Sequence, residues 1–79
     1  RWLVSKGVRY VGADTLALEK TPSSLPVHAI LLVQNGIHIL EVMYLNDLAA
    51  DHVYEFLFVA SPLKIRGGTA SPVRPLAIA

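Results

Sequence analysis

Apolar residues occur in short runs along this chain, separated by residues that favour turns. Residues 8–11 alternate in polarity, which predicts a short strand. Residues 27–34 follow Pro26 and precede the pair Asn35-Gly36. They predict a short helix, because proline suits the first helical turn and Asn-Gly is typical of a helix end. The segment between strand and helix, residues 14–25, predicts a connecting loop.

The second half of the chain predicts strands more than helices. Residues 37–43 form an apolar stretch with Glu41 as the one formal charge, and we expect a buried strand there. Residues 54–60 carry aromatic side chains at alternate positions, and residues 73–78 predict a terminal strand. A short helical turn is expected at 46–50, since asparagine and aspartate are good N-caps. Helices alternate with strands early and strands dominate late, so the class is mixed α/β.

Length and composition predict a single domain over residues 1–79 that is a fragment of something larger. The chain has 79 residues, 53% of them hydrophobic, and no cysteine that could form a disulfide or a thiolate metal site. So apolar a composition predicts surface that another segment or another subunit covers, and we expect a homo-oligomer. The chain does not begin with Met, and its start is typical of the last turn of a helix.

Charge and hydropathy argue against two classes of partner. The net charge is +1 and the basic residues are scattered, whereas a nucleic-acid site needs them clustered on one face. The apolar runs fall well short of the roughly 20 residues that a bilayer requires. No signal peptide opens the chain, so we expect a cytoplasmic protein without a membrane span.

Two residues carry candidate metal chemistry: His28, in the predicted helix, and Glu41, in the predicted strand that follows. A carboxylate in a buried strand needs a partner, and a cation shared with His28 would supply one. The spacing of 13 residues can bring the two side chains together at the strand end. Two alternatives stay open. His28 can be an ordinary hydrogen-bonded side chain, and Glu41 can form a salt bridge with lysine or arginine.

The other polar candidates favour structural roles. His38 and His52 are expected to be exposed, and Asp14 to cap a turn. Gly67-Gly68 predicts a turn rather than a phosphate-binding loop. Arg74 is expected in a structural ion pair.

Four blocks in order resemble the C-terminal part of the cyclase family of metal-dependent hydrolases, which includes bacterial kynurenine formamidases and isatin hydrolases. Residues 7–15 read G-V-R-Y-V-G-A-D-T, similar to the family's G-V-x-x-V-G-x-D-T. Residues 26–41 contain P-V-H, L-L, G-I and I-L-E, and residues 45–48 read L-N-D-L. Residues 60–78 resemble the family's A-L-P-L-K-I-x-G-G-x-G-S-P-V-R-x-x-A.

The resemblance implies a swivelling β/β/α fold with a mixed sheet and short helices. It also implies a divalent metal, zinc or manganese, and hydrolysis of a small-molecule amide of the arylformamide or cyclic amide type. In the family, a histidine and a glutamate at the positions of His28 and Glu41 can complete a second metal site.

The chain departs from the family in two ways. The signature cluster H-x-G-T-H-x-D-x-P-x-H, which supplies most metal ligands and the catalytic histidine, is absent. Ala17 also stands where the family commonly has serine. We therefore expect no catalytic residue in these 79 residues and no activity of the chain alone. The alternative is a truncated, non-catalytic module for oligomerisation or partner binding, paired with a second copy through residues 54–60.

Overall fold

The computed structural model describes residues 1–79, and the chain divides into two compact units, Arg1–Asn46 and Asp47–Ala79. Each unit contains one pair of strands. Short helices with one parallel and one antiparallel pair are compatible with the α/β class. The single domain over 1–79 and the swivelling cyclase-like fold stay predictions.

The first unit is a strand–helix–strand arrangement. Strand β1 (Tyr10–Gly12) pairs in parallel with β2 (His38–Leu40), with Val11 opposite Ile39. Two parallel strands need a crossover connection rather than a tight turn, and the loop and helix between them supply it. Before β1, helix α1 (Trp2–Ser5) is followed by Gly7, whose φ of +70° suits glycine just past a helix end. The last helical turn predicted at the start of the chain is confirmed.

The crossover helix starts where the sequence predicted, but most of it is not α-helical. Helix α2 (Pro26–His28) has proline in its first turn and continues directly into a π-helical segment, Ala29–Val33. Residue 25, the N-cap, is Leu25 with left-handed dihedral angles (φ +60°) and no side-chain cap. A leucine side chain has no oxygen to accept a hydrogen bond from the first helical amides, so another group must do so.

The core of the first unit is small. Leu31 and Ile37 are the buried hydrophobic residues of the chain, at 2% and 4% exposure. The amide of Ile37 donates to the carbonyl of Leu31 at 2.9 Å, so a backbone hydrogen bond joins the two core residues directly. This bond closes the end of the helix and sets the direction in which the backbone enters β2.

The buried strand expected over 37–43 is only partly correct. β2 covers His38–Leu40, and Glu41 lies just past its end. Val42 has a φ of +55°, which takes the backbone out of extended geometry. Its amide donates instead to the carbonyl of Thr15 at 2.9 Å. Glu41 is therefore at a strand end with 29% of its side chain exposed, not inside a buried strand.

The second unit is an antiparallel pair preceded by a helical turn. Helix α3 (Asn46–Ala50) confirms the predicted turn. Strand β3 (Leu57–Val59) pairs with β4 (Leu76–Ile78), and a single bridge joins Pro62 to Val73. Both strands are shorter than the predicted 54–60 and 73–78. Every residue in them is exposed, and so are Tyr54 and Phe56.

None of the helices combines the length and the apolar character that crossing a bilayer demands.

Candidate functional site

Three side chains of the first unit meet around one imidazole ring. His28 Nδ1 lies 2.5 Å from Glu19 Oε2, and His28 Nε2 lies 2.8 Å from Glu41 Oε1. The ring therefore stands between two carboxylates, one at each nitrogen. The spacing of 13 residues allowed the contact between His28 and Glu41, but the sequence analysis did not include Glu19.

The strand–helix–strand arrangement brings these residues together. His28 is the last residue of α2, immediately before the π-helical segment. Glu41 directly follows β2, and Glu19 belongs to the loop that leads from β1 to α2. Wide π-helical turns are often found at functional sites. Here one begins next to the histidine.

Glu19 is the least exposed of the three, with 4% of its side chain accessible. Its Oε2 accepts the amide of His28 at 2.9 Å, and its Oε1 accepts the amide of Val27 at 3.3 Å. The hydroxyl of Ser23 also donates to Oε1, at 3.2 Å. Glu19 thus caps the helix in place of Leu25, and its negative charge suits the positive end of the helix dipole.

Glu41 is held more loosely. Besides the ring of His28, its Oε1 accepts the amide of Leu18 at 3.2 Å. The sequence left open a salt bridge between Glu41 and a lysine or arginine, and the structure shows no such pair. Its ion pair is with His28.

The carboxylates change the acidity of the site. The hydrogen bond with Glu19 is the main influence that raises the pKa of His28; partial burial opposes it and Glu41 adds to it. For Glu19, burial raises the pKa, but the hydrogen bonds from His28, Val27 and Ser23 outweigh it and lower the pKa overall. Both ring nitrogens face carboxylate oxygens, so both contacts are hydrogen bonds only when the ring is an imidazolium.

The donor chemistry of His28 and Glu41 fits part of a metal site. An imidazole nitrogen and a carboxylate oxygen suit zinc and manganese, and both side chains are about a quarter exposed. The oxygens of Glu19 are engaged with Nδ1 of His28 and with backbone amides, so Glu19 is not a third ligand. No group of three or more His, Cys, Asp or Glu side chains is arranged to hold a metal ion. Further ligands would have to come from elsewhere.

The remaining candidates lie outside this cluster. His38 is exposed and stacks on Tyr10 with ring centroids 5.0 Å apart, and His52 is exposed beside Tyr54, as predicted. The turn at Gly67-Gly68 is confirmed by the hydrogen bond from the Gly68 amide to the carbonyl of residue 65. Two structural expectations are wrong. Asp14 is exposed and caps no turn, and Arg74 is exposed without an ion pair.

The role of Glu19 had one sequence signal. The residue before Pro26 is a leucine rather than a Ser, Thr, Asp or Asn, so the helix lacks a local cap. An acidic residue in the preceding loop is a candidate for that function. Spacing alone does not say which acidic residue reaches the helix, because the loop conformation decides it.

Comparison with known proteins gives a similarity to one enzyme. The chain is 33% identical over 75 residues to a protein named kynurenine formamidase from Polaromonas naphthalenivorans (strain CJ2). The match covers 94% of this chain and 32% of that protein, so the chain spans about a third of its relative's length. No protein-family model matches the chain, and no solved structure matches it. The relative's name agrees with the group of hydrolases that the four sequence blocks resemble.

Proposed function

We propose that this chain is part of a metal-dependent hydrolase of the formamidase type, acting on an amide bond of a small molecule. The observation that carries the proposal is the meeting of His28 Nε2 and Glu41 Oε1 at 2.8 Å in a partly exposed position. The similarity to a protein named kynurenine formamidase supports the reaction class.

In this proposal His28 and Glu41 would be two ligands of a divalent metal, zinc or manganese. When bound, such a metal polarises the scissile carbonyl and lowers the pKa of a bound water towards neutrality. Catalytic metal sites usually have three protein ligands. The chain therefore supplies an incomplete set and no general acid or base, and it is inactive by itself.

Metal titration of the purified chain tests this. We expect Zn²⁺ and Mn²⁺ to bind in calorimetry, with binding lost in His28→Ala and in Glu41→Gln. His38→Ala is the matched control, because His38 is an exposed histidine of the same unit outside the cluster. Equal affinity in wild type and His28→Ala would refute the assignment. Hydrolysis of N-formylkynurenine by the chain alone, above the free-metal background, would refute its inactivity.

A second candidate, a non-catalytic oligomerisation module, is favoured by the second unit. In the β3–β4 register Leu57 lies opposite Ile78 and Val59 opposite Leu76, so these four side chains share one side of the pair. All four are exposed. We call them the β3–β4 aliphatic face. A two-stranded pair is marginal by itself, and a second copy stacked on this face would cover it. A monodisperse, metal-free dimer in sedimentation equilibrium would support the module; a metal-free monomer would exclude it.

A further inference from the structure

We infer that Glu19 is the positioning residue of the metal site: it holds the proton of His28 on Nδ1 and so leaves Nε2 available beside Glu41. This inference rests on the proposed function, because it gives Glu19 a part in metal binding without making it a ligand.

The argument starts from the imidazole ring. A neutral histidine carries one proton, on either nitrogen, and only the nitrogen without the proton can bind a metal. In this chain each nitrogen faces a carboxylate oxygen, which can only accept a hydrogen bond when ionised. The two carboxylates therefore compete for the single proton of the neutral ring.

Position and burial favour Glu19 in that competition. Its Oε2 is 2.5 Å from Nδ1, against 2.8 Å from Nε2 to Glu41 Oε1. The Glu19 side chain is 4% exposed and that of Glu41 is 29% exposed. A charge-assisted hydrogen bond is stronger when it is shorter and less hydrated. The proton therefore stays on Nδ1, and the lone pair of Nε2 points towards Glu41.

Glu19 is also fixed to the backbone that carries His28. The same carboxylate accepts the amides of Val27 and His28, so it turns with the first helical turn instead of moving independently. The orientation of the ring is thus tied to the helix. A carboxylate behind a metal-binding histidine commonly has this function, and its removal typically weakens metal binding by about 10- to 100-fold.

Two measurements on the full chain test the inference. The first is the tautomer of His28, read from the nitrogen chemical shifts of its ring in the metal-free chain at alkaline pH, where the imidazole is neutral. We expect the Nδ1–H form in wild type and a shift towards the Nε2–H form in Glu19→Gln, because the Glu41 carboxylate is then the stronger acceptor. The second is calorimetric titration with Zn²⁺, where Glu19→Gln should bind about 10- to 100-fold more weakly than wild type.

Ser23→Ala is the matched control. It removes a hydrogen bond to Glu19 and disturbs the same loop, but it leaves the carboxylate on Nδ1. We expect its tautomer and its Zn²⁺ affinity to stay close to wild type. If Ser23→Ala weakens binding as much as Glu19→Gln, the effect is one of loop structure and the inference is wrong.

The outcomes separate this inference from the proposed function. If wild type binds no Zn²⁺ but carries the Nδ1 proton only while Glu19 is present, the metal proposal fails and the positioning by Glu19 stands. If wild type carries its proton on Nε2, the inference is overturned whatever the affinity, and this result needs no variant to fold.

Discussion

At the residue scale, the pair Glu19–His28 makes stability depend on pH in both directions. The pKa of Glu19 is lowered from an ordinary value of 4.5. Its contribution to the free energy of unfolding is therefore present above pH 4.5 and is lost as the pH falls through the lowered pKa. The pKa of His28 is raised from 6.5, so its contribution is present below that value and is lost as pH rises through the raised pKa. We expect the free energy of unfolding of the metal-free chain to be highest between these two ordinary values, measured by urea unfolding across pH.

The control for this prediction is a pair of histidine variants. His28→Gln should abolish the loss of stability on the alkaline side, because no proton is then released from the pair. His38→Gln should keep it, since His38 contacts no carboxylate. An alkaline loss that survives unchanged in His28→Gln would contradict the prediction.

A second residue-scale prediction concerns Val42, next to Glu41. Its φ of +55° is a strained conformation for a β-branched residue, and its side chain has little packing to lose because it is 67% exposed. Val42→Gly relieves strain of about 1–3 kcal/mol, from which about 0.5–1 kcal/mol is subtracted for the greater freedom of glycine in the unfolded chain. We expect a net gain of about 1 kcal/mol in urea unfolding.

Val33→Gly is the comparison for Val42→Gly. Val33 is similarly exposed, at 79%, but it lies in the π-helical segment and is not one of the residues with a positive φ. The same substitution there should cost about 0.5–1 kcal/mol, because glycine is a poor helix former. Destabilisation of similar size at both positions would show that Val42 is not strained.

At the element scale, the sequence predicts what local chemistry encodes and misses what tertiary contacts decide. Pro26 and the Asn35-Gly36 pair are local signals, and the crossover helix lies between them. The π-helical segment has no such signal, since any apolar run there fits an α-helix equally well. The predicted strand over 37–43 is longer than β2, because the apolar composition continues past Leu40 while the backbone turns at Val42.

The same distinction holds for the site. The contact between His28 and Glu41 was one that the spacing of 13 residues allowed, because a helix and the strand after it can bring their side chains together at the strand end. Glu19 was not predictable to the same degree, because its role depends on a loop folding back over the first turn of α2. Local patterns record the ends of elements; they do not record which loop side chain reaches them.

The end of the crossover helix provides an element-scale prediction. Gly36 has a φ of +64° and would meet nothing within 4 Å if it carried a Cβ, so a substitution there changes backbone strain without a clash. Gly36 directly precedes Ile37, whose amide donates to the Leu31 carbonyl, so strain at Gly36 acts on the hydrogen bond between the two core residues. Gly36→Ala should lower the free energy of unfolding by about 1 kcal/mol. Gly36→Asn should lower it less, because asparagine tolerates this conformation better. Equal losses in thermal unfolding would contradict this account.

At the scale of the whole molecule, the chain has many apolar residues but buries few of them. Eighteen large hydrophobic side chains are exposed and two hydrophobic residues are buried. The sequence already predicted apolar surface for another segment or subunit, from composition alone. Composition does not say which side chains form that surface. Strands β3 and β4 carry apolar residues on both sides of the pair, so their sequence pattern does not distinguish the two sides.

The β3–β4 aliphatic face is where this surface can be tested. Exposed aliphatic side chains grouped on one side of a sheet bind a hydrophobic dye, whereas isolated ones bind little. We expect the metal-free chain to bind such a dye, and the cross-strand variant Leu57→Ser/Ile78→Ser to bind at most half as much. Leu16→Ser is the control, because Leu16 is 81% exposed but lies in the loop of the first unit.

If self-association covers the face, dye binding per chain should also fall as the wild-type concentration rises, and it should stay constant in the double variant. Dye binding that is equal in wild type and double variant would show that this face is not the exposed apolar surface of the molecule.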